Sequence, residues 1–476
     1  MRSLFLCTWS LAGWLAAVAV HAAALPPAFV AALQRANIPL DHVAVVVQPL
    51  DADKPWLAHQ VQAALNPASV MKLVTSFAAL VQLGPGFTWT TEIDATGAVE
   101  NGRLDGALIV RGQGDPSLTL ERLWLMQRAL RAQGVRQISG GLILDSSYFE
   151  LPETDSGAFD GEPFAPYNAP AGALVANFNA LTLRLRPSAS GVTMALDPEL
   201  PGVTLVNRVR LDETAACNGW REALTPGFAD AERFELVIEG RYPLACGEQL
   251  WRISLYEPAR TFDGVFRALW RESGGELAGT PPAGPVVSVP LLRFASEPLA
   301  DVLKRLNKHS NNVMAKNLFL TLGAQAYGVP GTPEKGERAV RAALQQAGIA
   351  TGKLVLENGS GLSRIERISA ATLNQVLRAA WRSPWYAEFE SALPIAGLDG
   401  TLSRRFNGGD AHGRAHLKTG SLRDASALAG VVLGADGQRI AFVMLVNHAR
   451  AAQAVEAQRV LLEWAASGGG SRAAQP

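Results

Sequence analysis

Ser69 and Lys72 are the first two residues in this sequence whose types and spacing could do chemistry. They stand three positions apart within an apolar stretch that predicts a helix, so they are expected on one helix face about one turn apart. A serine hydroxyl is a weak nucleophile until a base accepts its proton, and a lysine can be that base if burial or nearby cations lower its pKa. The same spacing also arises by chance on solvated helices, so this pair alone is a weak signal.

Two further polar motifs lie far along the chain. Ser310-Asn311-Asn312 stands between two predicted helices, where its ordinary interpretation is a helix cap. Lys418-Thr419-Gly420 stands near the end of a predicted strand, where glycine lets another backbone approach closely, although a strand running into a turn reads the same way. The joint occurrence of all three motifs in this order is improbable by coincidence and favours a catalytic function.

Together the three motifs resemble those of the serine penicillin-recognising enzymes. Ser69 and Ser310 lie 241 positions apart, far more than a compact β-lactamase places between these motifs, whereas Ser310 and Lys418 lie 108 apart. The chain therefore resembles the class C low-molecular-mass penicillin-binding proteins, the D-alanyl-D-alanine carboxypeptidase/endopeptidase family of serine peptidases. Further segments typical of that family are 112–118, 358–364, 393–397 and 399–402, with Glu357 standing where the family often has Asp.

The resemblance implies a mechanism for three residues. Ser69 is expected to attack the carbonyl of the penultimate D-alanine, Lys72 to accept its proton, and Ser310 to relay a proton to the leaving amine. Water then hydrolyses the acyl-enzyme. The implied enzyme is a serine-type D-Ala-D-Ala carboxypeptidase, with endopeptidase action left open. The implied partners of the enzyme are peptidoglycan stem peptides and, as covalent inhibitors, β-lactam antibiotics. The resemblance implies no cofactor.

The resemblance also implies a set of substrate-binding residues. Asn312 is expected to hydrogen-bond the substrate amide or Lys72, while Lys418 keeps the local field positive and Thr419 binds the terminal carboxylate. Gly420 allows another backbone to approach the strand closely. The oxyanion is expected between the backbone N–H groups of Ser69 and Ser421. For Arg364 two interpretations stay open, a second anion contact for the stem peptide and a structural ion pair.

The elements that would position these residues can be predicted from sequence patterns. A buried strand over 43–49 precedes a helix over 63–83, which Asn66 could cap and Pro67 could begin. Helices over 299–306 and 313–324 flank Ser310, and strands over 415–421, 426–433 and 440–446 precede a helix over 451–465. The resemblance implies an α/β (α+β) serine β-lactamase/transpeptidase-like domain, a five-stranded antiparallel sheet with flanking helices, plus inserted β-rich domains.

The expected domain organisation is discontinuous. Residues 25–85 and 290–467 form the acyl-transferase domain, and residues 86–289 form the β-rich insertion with a sub-boundary near 187. Residues 1–24 read as a cleaved export signal, since Arg2 precedes an apolar stretch and small residues; an uncleaved anchor is the alternative. This predicts a periplasmic or secreted protein, with peripheral membrane contact left open. Residues 468–476 are predicted to be a disordered tail.

Charge and composition exclude several functions. Lys plus Arg and Asp plus Glu both count 43, so no net field would attract nucleic acid. Cys217 and Cys246 remain after export and are predicted to form a disulfide, with two free thiols as the alternative. His412 and His416 could share a strand face, but no carboxylate or cysteine completes a metal site there.

Three other classes of protein are weaker interpretations. A β-lactamase shares all three motifs but lacks the long insertion. A non-catalytic wall-binding protein is disfavoured because Ser69, Lys72, Ser310, Asn312, Lys418 and Thr419 are all intact. A histidine-dependent serine hydrolase lacks support because the sequence has no Gly-x-Ser-x-Gly motif, although His309 adjoins Ser310.

Overall fold

The computed structural model describes residues 24–230, 234–255 and 257–469. The α-helices in these ranges are α1 Pro27–Arg35, α2 Met71–Leu83, α3 Leu120–Ala132, α4 Pro258–Glu272, α5 Leu299–Lys308, α6 Asn312–Tyr327, α7 Pro333–Gln346, α8 Ala370–Arg382, α9 Tyr386–Ser391 and α10 Val455–Ala466. The strands are β1 Val43–Pro49, β2 Leu57–His59, β3 Ala64–Leu65, β4 Thr90–Ala95, β5 Val99–Glu100, β6 Arg103–Leu104, β7 Leu108–Arg111, β8 Gln137–Ile138, β9 Leu142–Asp145, β10 Leu181–Ser188, β11 Gly191–Asp197, β12 Thr204–Asp212, β13 Leu224–Asp230, β14 Glu235–Pro243, β15 Gln249–Ile253, β16 Glu276–Leu277, β17 Val289–Ala295, β18 Ile368–Ser369, β19 Ala415–Leu422, β20 Ala425–Leu433 and β21 Arg439–Asn447.

The central sheet joins the two ends of the chain. Its five strands run antiparallel in the order β19-β20-β21-β1-β2. β1 pairs with β21 from Val43 opposite Val446 to Pro49 opposite Ile440. All seven residues of β1 are buried, as expected for a central strand whose two faces are both covered. The predicted strand over 43–49, the three C-terminal strands and the five-stranded antiparallel sheet are thereby confirmed.

Side chains of β1 alternate between two hydrophobic cores. Ala44 and Val46 pack into a core built largely from α2, α5, α6, α7 and α8. Val45 and Val47 pack on the opposite face, in a core that includes residues of α1 and α10. Burial of one such valine side chain contributes about 1.5–3 kcal/mol. Helices therefore cover both faces of the sheet, and α2, which follows Ser69, lies in the first core.

The chain between α2 and α5 folds into small sheets. In the described residues these are β17-β4-β7-β9, β16-β8-β6-β5, β11-β10-β15 and β12-β14-β13. The β-rich character predicted for this part is present. Helices α3 and α4, which pack in one core with strands of the first three of these sheets, were not predicted. Cys217 and Cys246 are bonded, which confirms the predicted pairing, and Cys246 packs in a second core of the insertion.

The predicted helix over 63–83 begins later than expected. Ala64–Leu65 instead form β3, which pairs with β18, and the α-helix begins at Met71 after a 3₁₀ turn over Ala68–Val70. Ala68 has a φ of 47°, in the left-handed region, which breaks a helix that would start at Pro67. The predicted end of the helix at Gly84 is confirmed.

Two expected boundaries fall inside strands. Position 187 lies within β10, whose pairing with β11 continues on both sides of it. Position 290 lies within β17, which pairs with β4 and so belongs to a sheet of the insertion. The helical core resumes with α5 at Leu299. Local sequence composition could not locate the bounds of these two strands, because strand pairing depends on residues far apart in the chain.

Two predictions concern segments at the chain ends. The export signal, apart from its last residue, lies outside the described residues, and so do residues 470–476 of the predicted tail. Among the helices of the described part, none is long and apolar enough to cross a membrane.

Candidate active site

Ser69 lies in the 3₁₀ turn that leads into α2, and Asn66 fixes the entrance to that turn. The Asn66 Oδ1 accepts a hydrogen bond from the Ala68 N–H at 2.9 Å, while its Nδ2 donates to the Ser363 carbonyl at 2.8 Å. Asn447 in β21 holds the main chain of Asn66, accepting from its N–H at 2.7 Å and donating to its carbonyl at 2.9 Å. The turn carrying Ser69 is thus tied to the central sheet.

Lys72 is fully buried beside Ser69. Its Nζ lies 3.0 Å from the Ser69 Oγ, 2.6 Å from the Asn312 Oδ1 and 2.5 Å from the Ser360 carbonyl oxygen. Burial, and next the positive charge of Lys418, hold the pKa of Lys72 well below its ordinary value. A neutral amine can donate to Asn312 and Ser360 and still offer its lone pair to the Ser69 hydroxyl. The arrangement therefore suits proton transfer from Ser69 to Lys72.

Lys418 and Ser310 form a second polar pair. The Lys418 Nζ donates to the Ser310 Oγ at 2.7 Å and to the Thr419 carbonyl at 2.9 Å. Burial lowers the pKa of Lys418 to about 7. Ser310 lies between α5 and α6 with a φ of 55°, which turns the chain sharply before α6 begins. The tertiary structure thus brings Ser310 into contact with Lys418 of the Lys418-Thr419-Gly420 motif, which lies on the edge strand β19.

Two glycines allow the backbones around Ser69 to approach one another. A Cβ added at Gly420 on β19 would lie 2.4 Å from the Pro67 carbonyl oxygen and 3.1 Å from the Ser69 nitrogen. A Cβ added at Gly361 would lie 1.9 Å from the Ala68 carbonyl oxygen. Ser421, the next residue of β19, is exposed. The edge strand with Thr419, Gly420 and Ser421 therefore lies directly against the serine turn.

Sequence reasoning missed the support given by the segment after Glu357. The Glu366 side chain is fully buried, and its Oε1 accepts N–H hydrogen bonds from Glu357, Asn358 and Gly359 at 3.0–3.1 Å. Burial raises the pKa of Glu366. This carboxylate fixes the loop whose Ser360 carbonyl holds Lys72. The run 358–364 was noticed in the sequence, but its main-chain contacts carry no sequence signal.

Other unpredicted contacts connect α6 with the insertion. The Asn312 Nδ2 donates to the Tyr167 carbonyl at 2.9 Å, and the Lys316 Nζ donates to the Ala169 carbonyl at 3.0 Å. Burial lowers the pKa of Lys316 to about 8. Its positive charge also contributes to lowering the pKa of Lys72, after burial and Lys418. Both residues lie on α6, one turn apart.

Arg364 lies apart from these pairs. Its guanidinium stacks 4.1 Å from the ring centre of Phe159, donates to the Phe159 carbonyl at 3.2 Å and stands 3.6 Å from Asp424. Arg364 also lines a cleft of about 960 Å³, which Lys316 and Asn358 line too. The contact with Asp424 agrees with the ion-pair interpretation, and the position on the cleft leaves an anion contact open. In the described residues, no group of three His, Cys, Asp or Glu side chains could hold a metal ion.

The antiparallel sheet between helical layers, with a serine at a helix start against a buried lysine, defines a protein of the serine β-lactamase/transpeptidase-like class. Crystal structures of penicillin binding protein 4 (DacB) from Haemophilus influenzae share this fold. One aligns with a TM-score of 0.75 and 26% identity over 91% of this chain and 98% of that chain. The other, complexed with a novel β-lactam, aligns with a TM-score of 0.72.

Sequence comparison then gives the family. The chain belongs to the D-Ala-D-Ala carboxypeptidase 3 (S13) family, whose model matches residues 28–467, and it is therefore a peptidase. It is 30% identical over 392 residues to the D-alanyl-D-alanine carboxypeptidase DacB of Haemophilus influenzae, covering 80% of each chain. It is also 30% identical over 414 residues to the D-alanyl-D-alanine carboxypeptidase of Actinomadura sp. strain R39, covering 80% of this chain and 73% of that one.

Proposed function

We propose that this protein hydrolyses the D-Ala-D-Ala end of peptidoglycan stem peptides through an acyl-enzyme on Ser69. The observation that carries the proposal is the 3.0 Å distance between the Ser69 Oγ and the Nζ of the fully buried Lys72. A lysine whose pKa is lowered by burial, and whose Nζ is held by Asn312 and Ser360, is a base positioned to accept the serine proton. Membership of the D-Ala-D-Ala carboxypeptidase family supports the substrate.

The acylation step follows from these positions. The Ser69 Oγ forms a bond to the carbonyl carbon of the penultimate D-alanine while its proton passes to the Lys72 Nζ. The C–N bond to the terminal D-alanine then breaks. The proton that Lys72 took from Ser69 passes through the Ser310 hydroxyl to the leaving nitrogen, which returns Lys72 to its neutral form. The 2.7 Å hydrogen bond from Lys418 to Ser310 supports this relay. The products are free D-alanine and an ester on Ser69.

Deacylation returns the enzyme to its starting state. A water molecule loses a proton to Lys72 as it attacks the ester carbonyl, and the Ser69 Oγ regains a proton as it leaves. In a cross-linked substrate the leaving amine belongs to a second stem peptide, so the same steps give endopeptidase action. A β-lactam ring would acylate Ser69 in the same way and act as a covalent inhibitor.

The oxyanion of each tetrahedral intermediate would lie between the backbone N–H groups of Ser69 and Ser421. The close approach that Gly420 allows between β19 and the serine turn supports this pair of donors. Loss of one such donor typically costs about 3 kcal/mol of the barrier. We assign the terminal carboxylate to Thr419 and the field of Lys418, the substrate amide to Asn312, and a stem-peptide anion to Arg364.

The proposed setting is the bacterial periplasm or cell exterior. The sequence of residues 1–24 supports export, and the Cys217–Cys246 bond is typical of an oxidising compartment. We propose that residues 25–85 with the chain from about 296 to 467 act as the acyl-transferase unit. Residues between them would form the inserted units. Peripheral contact with the membrane remains part of the proposal to be tested by fractionation.

Intact-mass spectrometry with excess benzylpenicillin tests the acylating serine. The mature protein should gain one benzylpenicillin per chain, Ser69→Ala should gain none, and Ser403→Ala, which alters an exposed serine, should behave like the wild type. Release of D-alanine from a stem pentapeptide should follow the same pattern. An intact drug with no adduct would favour a wall-binding protein, and rapid drug hydrolysis without an adduct would favour a β-lactamase.

A further inference from the structure

Thr401 lies beside the carboxylate-binding end of the proposed site. Its Oγ1 is 3.0 Å from the Oγ1 of Thr419 on the edge strand β19. Thr401 comes from the 3₁₀ turn Gly400–Leu402, 18 positions before Thr419, and its side chain is exposed. Two hydroxyl groups from separate segments therefore face each other, and one of them belongs to the residue that follows Lys418 in β19.

The segment that carries Thr401 is held firmly against α5. Asp399 forms an ion pair with Lys308 at the end of α5 and accepts the Ile395 N–H at 2.8 Å. The Lys308 Nζ also donates to the Leu393 carbonyl at 3.1 Å. Gly400 has a φ of 55°, and a Cβ there would lie 2.5 Å from the Lys308 carbonyl oxygen. The same helix end leads to Ser310, so Thr401 and Ser310 share one anchor.

Chemistry limits what this pair of hydroxyls can bind. Each hydroxyl has one proton, and when one donates to the other, the second proton is left to donate outward. An anion with two oxygens can accept from both hydroxyls at once if the first proton turns away from its partner. A carboxylate fits this requirement, and Lys418 in its protonated form would attract it, since the Lys418 Nζ lies 2.9 Å from the Thr419 carbonyl oxygen. An uncharged amide end supplies only one carbonyl acceptor.

We propose that Thr401 is a substrate-binding residue that, together with Thr419, holds the terminal carboxylate of the substrate. This inference rests on the function proposed above and deepens it, because it makes Thr401 a determinant of preference for a free C-terminal carboxylate. Substrates with that carboxylate use both hydroxyls. Substrates whose C-terminal group is amidated or esterified use at most one of them.

The test compares Thr401→Val, which removes the hydroxyl at nearly constant volume, with Thr401→Ser, which keeps it. For a stem pentapeptide with a free carboxylate, Thr401→Val should lower kcat/KM by about 10- to 100-fold, mainly through KM, since a hydrogen bond to a charged group is lost. The same variant should lower kcat/KM for the C-terminally amidated pentapeptide by a much smaller factor, because that substrate uses at most one of the two hydroxyls. Thr401→Ser should stay close to the wild type on both peptides.

Acylation by benzylpenicillin and by its methyl ester gives a second readout. Thr401→Val should slow acylation by the free acid, relative to acylation by the ester, by a similar factor. Equal loss on charged and uncharged ligands, or no loss on either, would overturn the inference while leaving the proposed function intact. A wild-type protein that neither forms an adduct nor releases D-alanine would overturn both.

Discussion

Asn312 links the buried lysine to the inserted part of the chain through the main-chain carbonyl of Tyr167. Its Nδ2 donates to that carbonyl at 2.9 Å, while its Oδ1 accepts from the Lys72 Nζ at 2.6 Å. An amide has one donor end and one acceptor end, so a carbonyl fixed at one end determines which atom faces the lysine. The insertion therefore orients a side chain that contacts Lys72.

Asn312→Asp should remove the hydrogen bond that orients this side chain and should slow acylation. A carboxylate cannot donate to the Tyr167 carbonyl, and its negative charge beside Lys72 would raise the pKa of the lysine and favour its protonated form. We expect the rate of acylation by benzylpenicillin at neutral pH to fall by about 100-fold, measured by stopped mass-spectrometric sampling.

Asn311→Asp is the matched control for that change. Asn311 caps α6 by accepting the Met314 N–H at 3.0 Å, and aspartate caps helices equally well. This neighbouring variant should acylate at the wild-type rate. If both variants are equally slow, the charge at α6 matters and the contact between Asn312 and Lys72 does not.

Lys316→Met should shift the acid limb of the pH profile of acylation to higher pH. The Lys316 ammonium, whose own pKa burial lowers to about 8, helps to lower the pKa of Lys72 together with Lys418, while Glu366 raises it. Acylation needs neutral Lys72, so the rate falls as pH falls through the pKa of Lys72. Removal of a nearby positive charge raises that pKa, and the rate should then be lost at a higher pH.

The pH profile of kcat/KM distinguishes this electrostatic effect from a structural one. Lys304→Met, which removes an exposed lysine of α5, should leave the profile unchanged. A lower rate at all pH values, with no shift of the acid limb, would mean that Lys316 acts only by holding the Ala169 carbonyl.

Gly420→Ala should abolish most acylation while the protein stays folded. The added Cβ would lie 2.4 Å from the Pro67 carbonyl oxygen, so β19 must move away from the serine turn. If the movement removes one oxyanion donor, the acylation rate should fall about 100- to 1000-fold. Gly86→Ala, where a Cβ meets nothing within 4 Å, is the control. If Gly420→Ala is acylated at the wild-type rate, β19 can move away from the serine turn without loss of an oxyanion donor.

The Cys217→Ser/Cys246→Ser double variant should lose stability in the insertion and keep its catalytic chemistry. The bond closes a loop of 29 residues, for which the chain-entropy model gives about 3–4 kcal/mol. Thermal unfolding should show an earlier transition for the variant, while benzylpenicillin acylation at 25 °C should match the wild type. Wild-type protein treated with a reductant is the control. Loss of acylation with an unchanged unfolding curve would contradict this division of roles.

Much of the central fold was predictable because its signals are local. The β-branched run of β1 and the apolar repeats of α5 and α6 gave correct elements, and the predicted bounds of the C-terminal strands were within one residue. The turn before α2 was not predictable. The left-handed Ala68 and the pairing of Leu65 with Ile368 depend on residues about 300 positions away. The strand that contains position 187 was missed for the same reason, since a strand is defined by its partner.

By itself the sequence determined the chemical groups of the candidate site, because Ser69, Lys72, Ser310 and Lys418 stand in motifs with recognisable spacing. The tertiary structure decided which acceptors surround the lysine. Those acceptors include the Ser360 carbonyl, and the Tyr167 carbonyl in turn orients Asn312. Every residue has a carbonyl, so no residue type marks the one that a fold will use. The depth of burial that lowers the pKa of Lys72 likewise exists only once separate segments have packed around it.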